Sequence, residues 1–164
     1  MLILLDGPKG AGKSSVSQIL ADKLDNVICL SLDAERRALP DQGRGRTELN
    51  KEAFENIIHK TERFLKENRN LIIDCGLTEE RVQRLERVAS DGNAQIYKFL
   101  LQASRGTLLG RVRMRDSAKN QKTNVERFDE VLKIVHAKEF SNFNIIETDG
   151  LSVKEVADRI LKIV

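Results

Sequence analysis

Gly7-Pro8-Lys9-Gly10-Ala11-Gly12-Lys13-Ser14 spells G-x-x-x-x-G-K-S, a spacing suited to holding phosphate. Glycines let the backbone curl until successive N–H groups face one anion, and a helix start adds partial positive charge. In that geometry the run from Gly7 through Ser15 would wrap the phosphates of a nucleotide. Lys13 would reach the β- and γ-phosphates, and Ser14 would sit on Mg²⁺. Two carboxylates supply the next part of the chemistry. Asp33 and Asp74 each close an apolar run, one at 26–32 and one at 71–73. Asp74 is expected on the metal or near the acceptor, as a carboxylate that holds the ion directly or through water. Asp33 is expected to accept the proton of a hydroxyl attacking the γ-phosphate, or to bind that acceptor. Arginines complete the set. Arg36, with Arg37, Arg44 and Arg46 around it, suits an acceptor phosphate, which guanidinium grips with two parallel bonds. Arg105, Arg111, Arg113, Arg115, Lys119 and Lys122 crowd into one further stretch, with Asp116 the only acid among them. Arg111 and Arg115 are i,i+4 neighbours and suit a lid that stabilises charge on a phosphoryl group in transfer.

These residues can cooperate only if the chain brings them to one rim. Apolar, β-rich runs at 2–5, 26–32, 71–74, 95–101 and 144–148 predict five strands. Helical spacing falls between them. Val16, Ile19, Leu20 and Leu24 share one face, and Leu49, Ala53, Phe54, Ile57, Ile58, Phe64 and Leu65 mark a long helix over 48–68. Thr78 starts another helix with Glu79 and Glu80 in its first turn, where the dipole favours acids. A basic helix follows over 104–115. Thr123-Asn124-Val125-Glu126 and Ser152-Val153-Lys154-Glu155 have the form of capping boxes for the last two helices, the first running to about Lys138. Strand and helix alternate throughout, which predicts an α/β protein with a parallel sheet covered on both faces. Ligands of such sheets bind beyond the C-terminal strand ends, where the glycine loop, Asp33 and Asp74 all fall.

A length of 164 residues fits one domain, 1–164, with the lid at about 111–124. A net charge of +3 is too mild to call for nucleic acid by itself. No run is long enough to cross a membrane, and Met1 leads straight into the first strand, so a cytoplasmic location is expected. Cys29 and Cys75 lack metal-like spacing and are expected to be small buried hydrophobes at strand positions in a reducing compartment. His59 and His136 have no metal partners at useful spacing and are expected to be structural or surface residues. No N-K-x-D motif is present, which argues against a guanine-specific switch. A non-enzymatic nucleotide-binding module would leave the arginine cluster and Asp33 without a role.

The motifs together resemble the small P-loop kinases of the nucleoside-monophosphate-kinase superfamily, and within them the kinase domain of 5′-hydroxyl polynucleotide kinases. Asp33-Ala34-Glu35-Arg36 is similar to that family's D-x-x-R, Ile72-Ile73-Asp74 to its third strand, and Arg111-Val112-Arg113-Met114-Arg115 to its arginine-bearing lid. Thr148-Asp149-Gly150 resembles the loop near the adenine. The resemblance implies a P-loop three-layer sandwich with a five-stranded parallel sheet in the order 2-3-1-4-5. It implies ATP and Mg²⁺, with Asp33 as general base and Arg36 on a phosphate of the acceptor. It also implies a 5′-hydroxyl nucleic-acid end as acceptor; a nucleoside, nucleotide, sugar or antibiotic is the small-molecule alternative. After Asp74 the segment Cys75-Gly76-Leu77-Thr78 differs from the Thr-Asn of many such relatives.

Overall fold

The structure, a computed structural model, describes residues 1–40, 42–76, 78–136 and 142–164. Its first strand, β1 (Leu2–Asp6), is buried at every position because both of its faces are covered. Around it stand β2 (Val27–Ser31), β3 (Asn70–Asp74), β4 (Ile96–Gln102) and β5 (Asn144–Glu147), all parallel, in the order β2-β3-β1-β4-β5. This is the five-stranded P-loop sheet implied by the resemblance.

Side-chain alternation along the strands makes two cores. Ile3, Leu5, Ile72, Phe99, Leu101 and Ile146 pack on one side. They meet α1 (Lys13–Lys23), α5 (Arg105–Ser117), α6 (Val125–His136) and α7 (Val153–Leu161). Leu2, Leu4, Leu30, Leu71 and Ile73 face the other side, under α3 (Arg46–Lys66) and α4 (Glu79–Asp91). The remaining helix, α2 (Leu32–Ala38), buries none of its residues and follows β2 without a loop. Register fixes the working edge, since Leu5 and Ser31 both pair with Asp74, and Asp6 pairs with Leu100.

Several local expectations need correction. The second strand stops at Ser31 rather than at Leu32, so Asp33 lies in the first turn of α2 and not at a strand end. An acid there suits the positive helix start, and Arg36 and Arg37 suit its last turn. The long helix begins at Arg46, two residues early, which takes Arg46 out of the preceding loop. The box expected from Thr123 is replaced. Asn124 Oδ1 accepts the Arg127 N–H at 2.8 Å, while the Thr123 hydroxyl donates to Asp116. The second box forms as expected, with Ser152 and Glu155 bonded reciprocally. Cys29 is exposed, because β2 is an edge strand, whereas Cys75 is buried just beyond β3. Ala137 and Lys138, where the sixth helix was expected to end, lie outside the described residues, as do Asp41 and Leu77.

Candidate functional site

The glycine loop is held from below by backbone contact. A Cβ on Gly7 would land on the carbonyl oxygen of Leu101, so only glycine lets the loop lie against β4 there. Gly10, a free position of the motif, is equally constrained. It has φ +93°, and a Cβ would lie 2.6 Å from the Leu108 carbonyl oxygen in α5. Pro8 and Ala11 are buried, and the Ala11 N–H donates to the Pro8 carbonyl at 3.1 Å, closing the turn. Gly12 precedes α1, whose first N–H groups have no intrahelical partners and face outward from the helix start. Lys13 Nζ donates to the Gly7 carbonyl at 2.8 Å, so the ammonium curls back over the loop. Ser14 and Ser15 are exposed in the first turn of α1, and Lys9 is exposed at the tip of the loop.

Ser14 and Asp74 meet. The serine hydroxyl donates to Asp74 Oδ2 at 3.3 Å across the β1–β3 edge. Burial pushes the Asp74 carboxyl above its ordinary range; Asp6 and Asp33 push it the same way, while Lys13 and the Ser14 hydroxyl oppose them. This carboxylate is short of positive charge, which is the condition a divalent cation relieves. Among the described residues no group of three or more His, Cys, Asp or Glu is arranged to hold a metal. Mg²⁺ in nucleotide sites takes one or two protein oxygens, with water and phosphates for the rest, so Ser14 and Asp74 fit it without such a group.

Asp33 stands on the far side of Asp74, with its side chain 63% exposed. Arg36 Nη1 lies 2.9 Å from Asp33 Oδ1 and donates to Asn50 Oδ1 at 3.1 Å. The expected acceptor arginine is therefore tied between α2 and α3. Its neighbours are tied too. Arg44 bonds Glu52 and the Pro40 carbonyl, with Glu48 close by, and Lys60 Nζ bridges both Glu35 oxygens at 2.6 and 2.8 Å.

On the opposite side of the loop, Arg111 acts as a staple. Its guanidinium donates to the Thr148 carbonyl at 2.8 Å, the Thr148 hydroxyl at 3.0 Å and the Gly10 carbonyl at 3.4 Å. Arg115, one turn on, donates to Asp116 at 3.0 Å. The basic stretch is less bare than its sequence suggests, because Asp129 of α6 takes Arg105 through two bonds of 2.7 Å. A cleft of about 640 Å³ opens here, lined by Pro8, Gln102, Ser104, His136 and Asp149 among others. Asp149 accepts the Ser104 N–H at 2.7 Å and its hydroxyl at 3.1 Å.

Two contributors, Asp6 and Arg81, escaped the sequence reading, and a third, Thr148, was singled out with its loop but not as the partner of Arg111. Asp6 is 2% exposed and accepts the Gly7 N–H at 2.7 Å, anchoring the first glycine. It closes an apolar run just as Asp74 does, which was a usable signal. Thr148 is buried and orients Arg111. Arg81 donates to the Cys75 and Gly76 carbonyls at 2.9 and 3.0 Å while lying over the Phe54 ring, so it pins the segment after Asp74. Nothing local in the sequence marks Arg81, and the Thr148-Asp149-Gly150 motif marks a loop without showing its bond to Arg111.

Comparison with known proteins agrees with this architecture. The family described as "AAA domain" matches residues 2–135. A cytidylate kinase of Clostridium tetani is 27% identical over 104 residues, covering 62% of this chain and 44% of that protein. The chain thus spans less than half the length of that curated relative. The tunicamycin resistance protein of Deinococcus radiodurans superposes with a TM-score of 0.72 at 23% identity, over 98% of this chain and 93% of that one. A chain of the Pnkp1/Rnl/Hen1 RNA repair complex superposes with a TM-score of 0.68 at 18% identity, over 82% of this chain and 43% of that one. At these identities the two structures speak for the fold. No described helix is long and apolar enough to cross a membrane.

Proposed function

Given that this chain belongs to the AAA-domain family, we propose that it is an ATP-dependent phosphotransferase acting on the hydroxyl group of a small acceptor. The observation that carries this reading is the division of one rim by the glycine loop. Lys13, Ser14 and Arg111 gather on or beside the loop, and Asp33 stands beyond Asp74 on the other side. Gly7 through Ser15 hold the donor phosphates, and Lys13 exchanges its carbonyl partners for β- and γ-phosphate oxygens. Ser14 and Asp74 would hold Mg²⁺, which would supply positive charge against the donor phosphates. Asp33 takes the proton of the acceptor hydroxyl as its oxygen bonds to the γ-phosphorus. The bond from that phosphorus to the β–γ bridging oxygen breaks, and ADP leaves. Arg111 and Arg115 meet the charge on the phosphoryl group.

The pairing of the acceptor-side cations supports a small acceptor. Binding a nucleic-acid strand rests on cations free to replace its counterions. Here Arg36, Arg44 and Lys60 are each matched by an acid of the chain itself. The name of the cytidylate kinase denotes a small nucleotide acceptor, which agrees in size although its receiving group is a phosphate rather than a hydroxyl. A second reading, transfer to the 5′-hydroxyl of a nucleic acid, is favoured by one feature. Arg36 lies three residues after Asp33 on the same helix face and can exchange that carboxylate for a phosphate.

Incubation with γ-labelled ATP against a panel of nucleosides, nucleotides, sugars and 5′-hydroxyl oligonucleotides separates the two. Label is expected on a small acceptor, and label on oligonucleotides alone would establish the second reading. In either case Asp33→Ala is expected to reduce transfer by about 10²–10⁴-fold, the usual worth of a general base, while ATP still binds. Undiminished turnover in that variant removes the base from Asp33.

A further inference from the structure

Asp116 is an acid where helix physics does not want one. It lies in the last turn of α5, at the negative end of the dipole, and is only 7% exposed. Three groups converge on its carboxylate. Arg115 Nη2 donates to Oδ1 at 3.0 Å, the Thr123 hydroxyl donates to Oδ2 at 2.9 Å, and Lys9 Nζ stands 3.9 Å from Oδ2. The Asp116 carbonyl also takes the N–H groups of Lys119 and Gln121, which turns the following segment back over the helix end. One buried carboxylate thereby joins the tip of the glycine loop, the last arginine of α5 and the segment leading to α6. The two cations involved are half-exposed, so the bond to Asp116 is what decides where they rest.

We propose that Asp116 is a positioning residue that stores Lys9 and Arg115 beside the phosphate cradle and yields them to a terminal phosphate, so that these two cations favour a triphosphate over a diphosphate and Asp116 tempers that preference. A γ-phosphate brings charge enough to compete with one carboxylate for both cations, and a diphosphate seated deeper in the loop leaves the pair where it is. The storage costs triphosphate affinity in proportion to the fraction of molecules in which the pair is released. The inference rests on the phosphotransferase reading only as far as nucleotide binding at the glycine loop.

Calorimetric titration with Mg²⁺·ADP and with the Mg²⁺ complex of an imido-bridged ATP analogue tests it. Asp116→Asn keeps the shape and the Thr123 contact but releases the cations. It is expected to tighten the analogue by about ten-fold, as for a released fraction rising from about a tenth to near unity, and to shift ADP less than about two-fold. In an Arg115→Gln background the same substitution is expected to gain much less. Equal tightening of both nucleotides would mean a general field effect and overturn the proposal, as would no change or a weakening. Should the Asn variant not fold, Lys9→Met with Arg115→Gln decides. Loss of the preference for the analogue over ADP upholds the stored cations as its source, and a retained preference overturns the proposal. Failure of the native chain to bind either nucleotide would instead sink the donor reading itself.

Discussion

The two sides of the glycine loop are built from different materials. On the donor side, the two cations nearest the loop's interior, Lys13 and Arg111, are held mainly by backbone, with Lys9 and Arg115 resting on Asp116 further out. Lys13 and Arg111 bond main-chain carbonyls, and Gly10 lies so close to α5 that no side chain fits between them. On the acceptor side, cations are held by acidic side chains, as in Arg36 with Asp33 of the same helix, Arg44 with Glu48 and Glu52 of α3, and Lys60 of α3 with Glu35 of α2. Backbone contacts are fixed by the fold. Exposed ion pairs are worth about 0.2–1 kcal/mol each and exchange partners at little cost. The contrast matches the tasks. A triphosphate is the same in every cycle and rewards a rigid cradle, and an acceptor is recognised by groups that can be re-paired without refolding the sheet.

Three substitutions probe this division. The largest effect is expected from Lys13→Met, which removes the charge curled over the loop. Transfer should fall by about 10³-fold, the scale of losing a principal electrostatic contact to the phosphoryl group, measured as initial rate at saturating acceptor. A loss of less than ten-fold would break the claim that the donor side depends on single fixed groups. Gly10→Ala comes next. Its Cβ meets the Leu108 carbonyl at a positive φ, so unfolding in urea should register a loss of about 1–3 kcal/mol, and an unchanged midpoint would show that α5 and the loop are not in contact. Asp74→Asn is the mildest. Because the folded state raises this carboxyl, ionised Asp74 costs stability above its folded pKa, and that cost vanishes as pH falls below the ordinary carboxylate range. The Asn variant should therefore melt higher than the native chain at neutral pH without nucleotide, with the gap closing toward acid. A gap that widened toward acid would reverse the sign assigned to Asp74.

Legibility followed the same line. The loop and the five parallel strands could be anticipated, because each rests on a contiguous run such as Leu2–Asp6 or a fixed spacing such as G-x-x-x-x-G-K-S, while the strand order came only from the family resemblance. What failed were features decided at a distance. Leu32 continues the apolar run of β2, so nothing nearby shows that the helix has begun and that Asp33 has left the strand. Thr123 has the form of a cap, but Asp116 claims its hydroxyl and Asn124 takes the position. Arg105 looks uncompensated until α6 delivers Asp129 from 24 residues on. In the last two cases the deciding partner is a side chain that only the folded backbone brings within reach.

The Arg111 staple also has a consequence for the order in which the chain matures. The glycine loop is made early, yet Arg111, which bonds its Gly10 carbonyl, is itself held by Thr148, and α1 beneath the loop shares a core with Val156, Ala157 and Ile160 of α7. During synthesis the phosphate cradle can form its turn as soon as α1 emerges, but its bracing is complete only once β4, α5 and residues 148–160 are all in place. The fully braced cradle thus waits for most of the polypeptide.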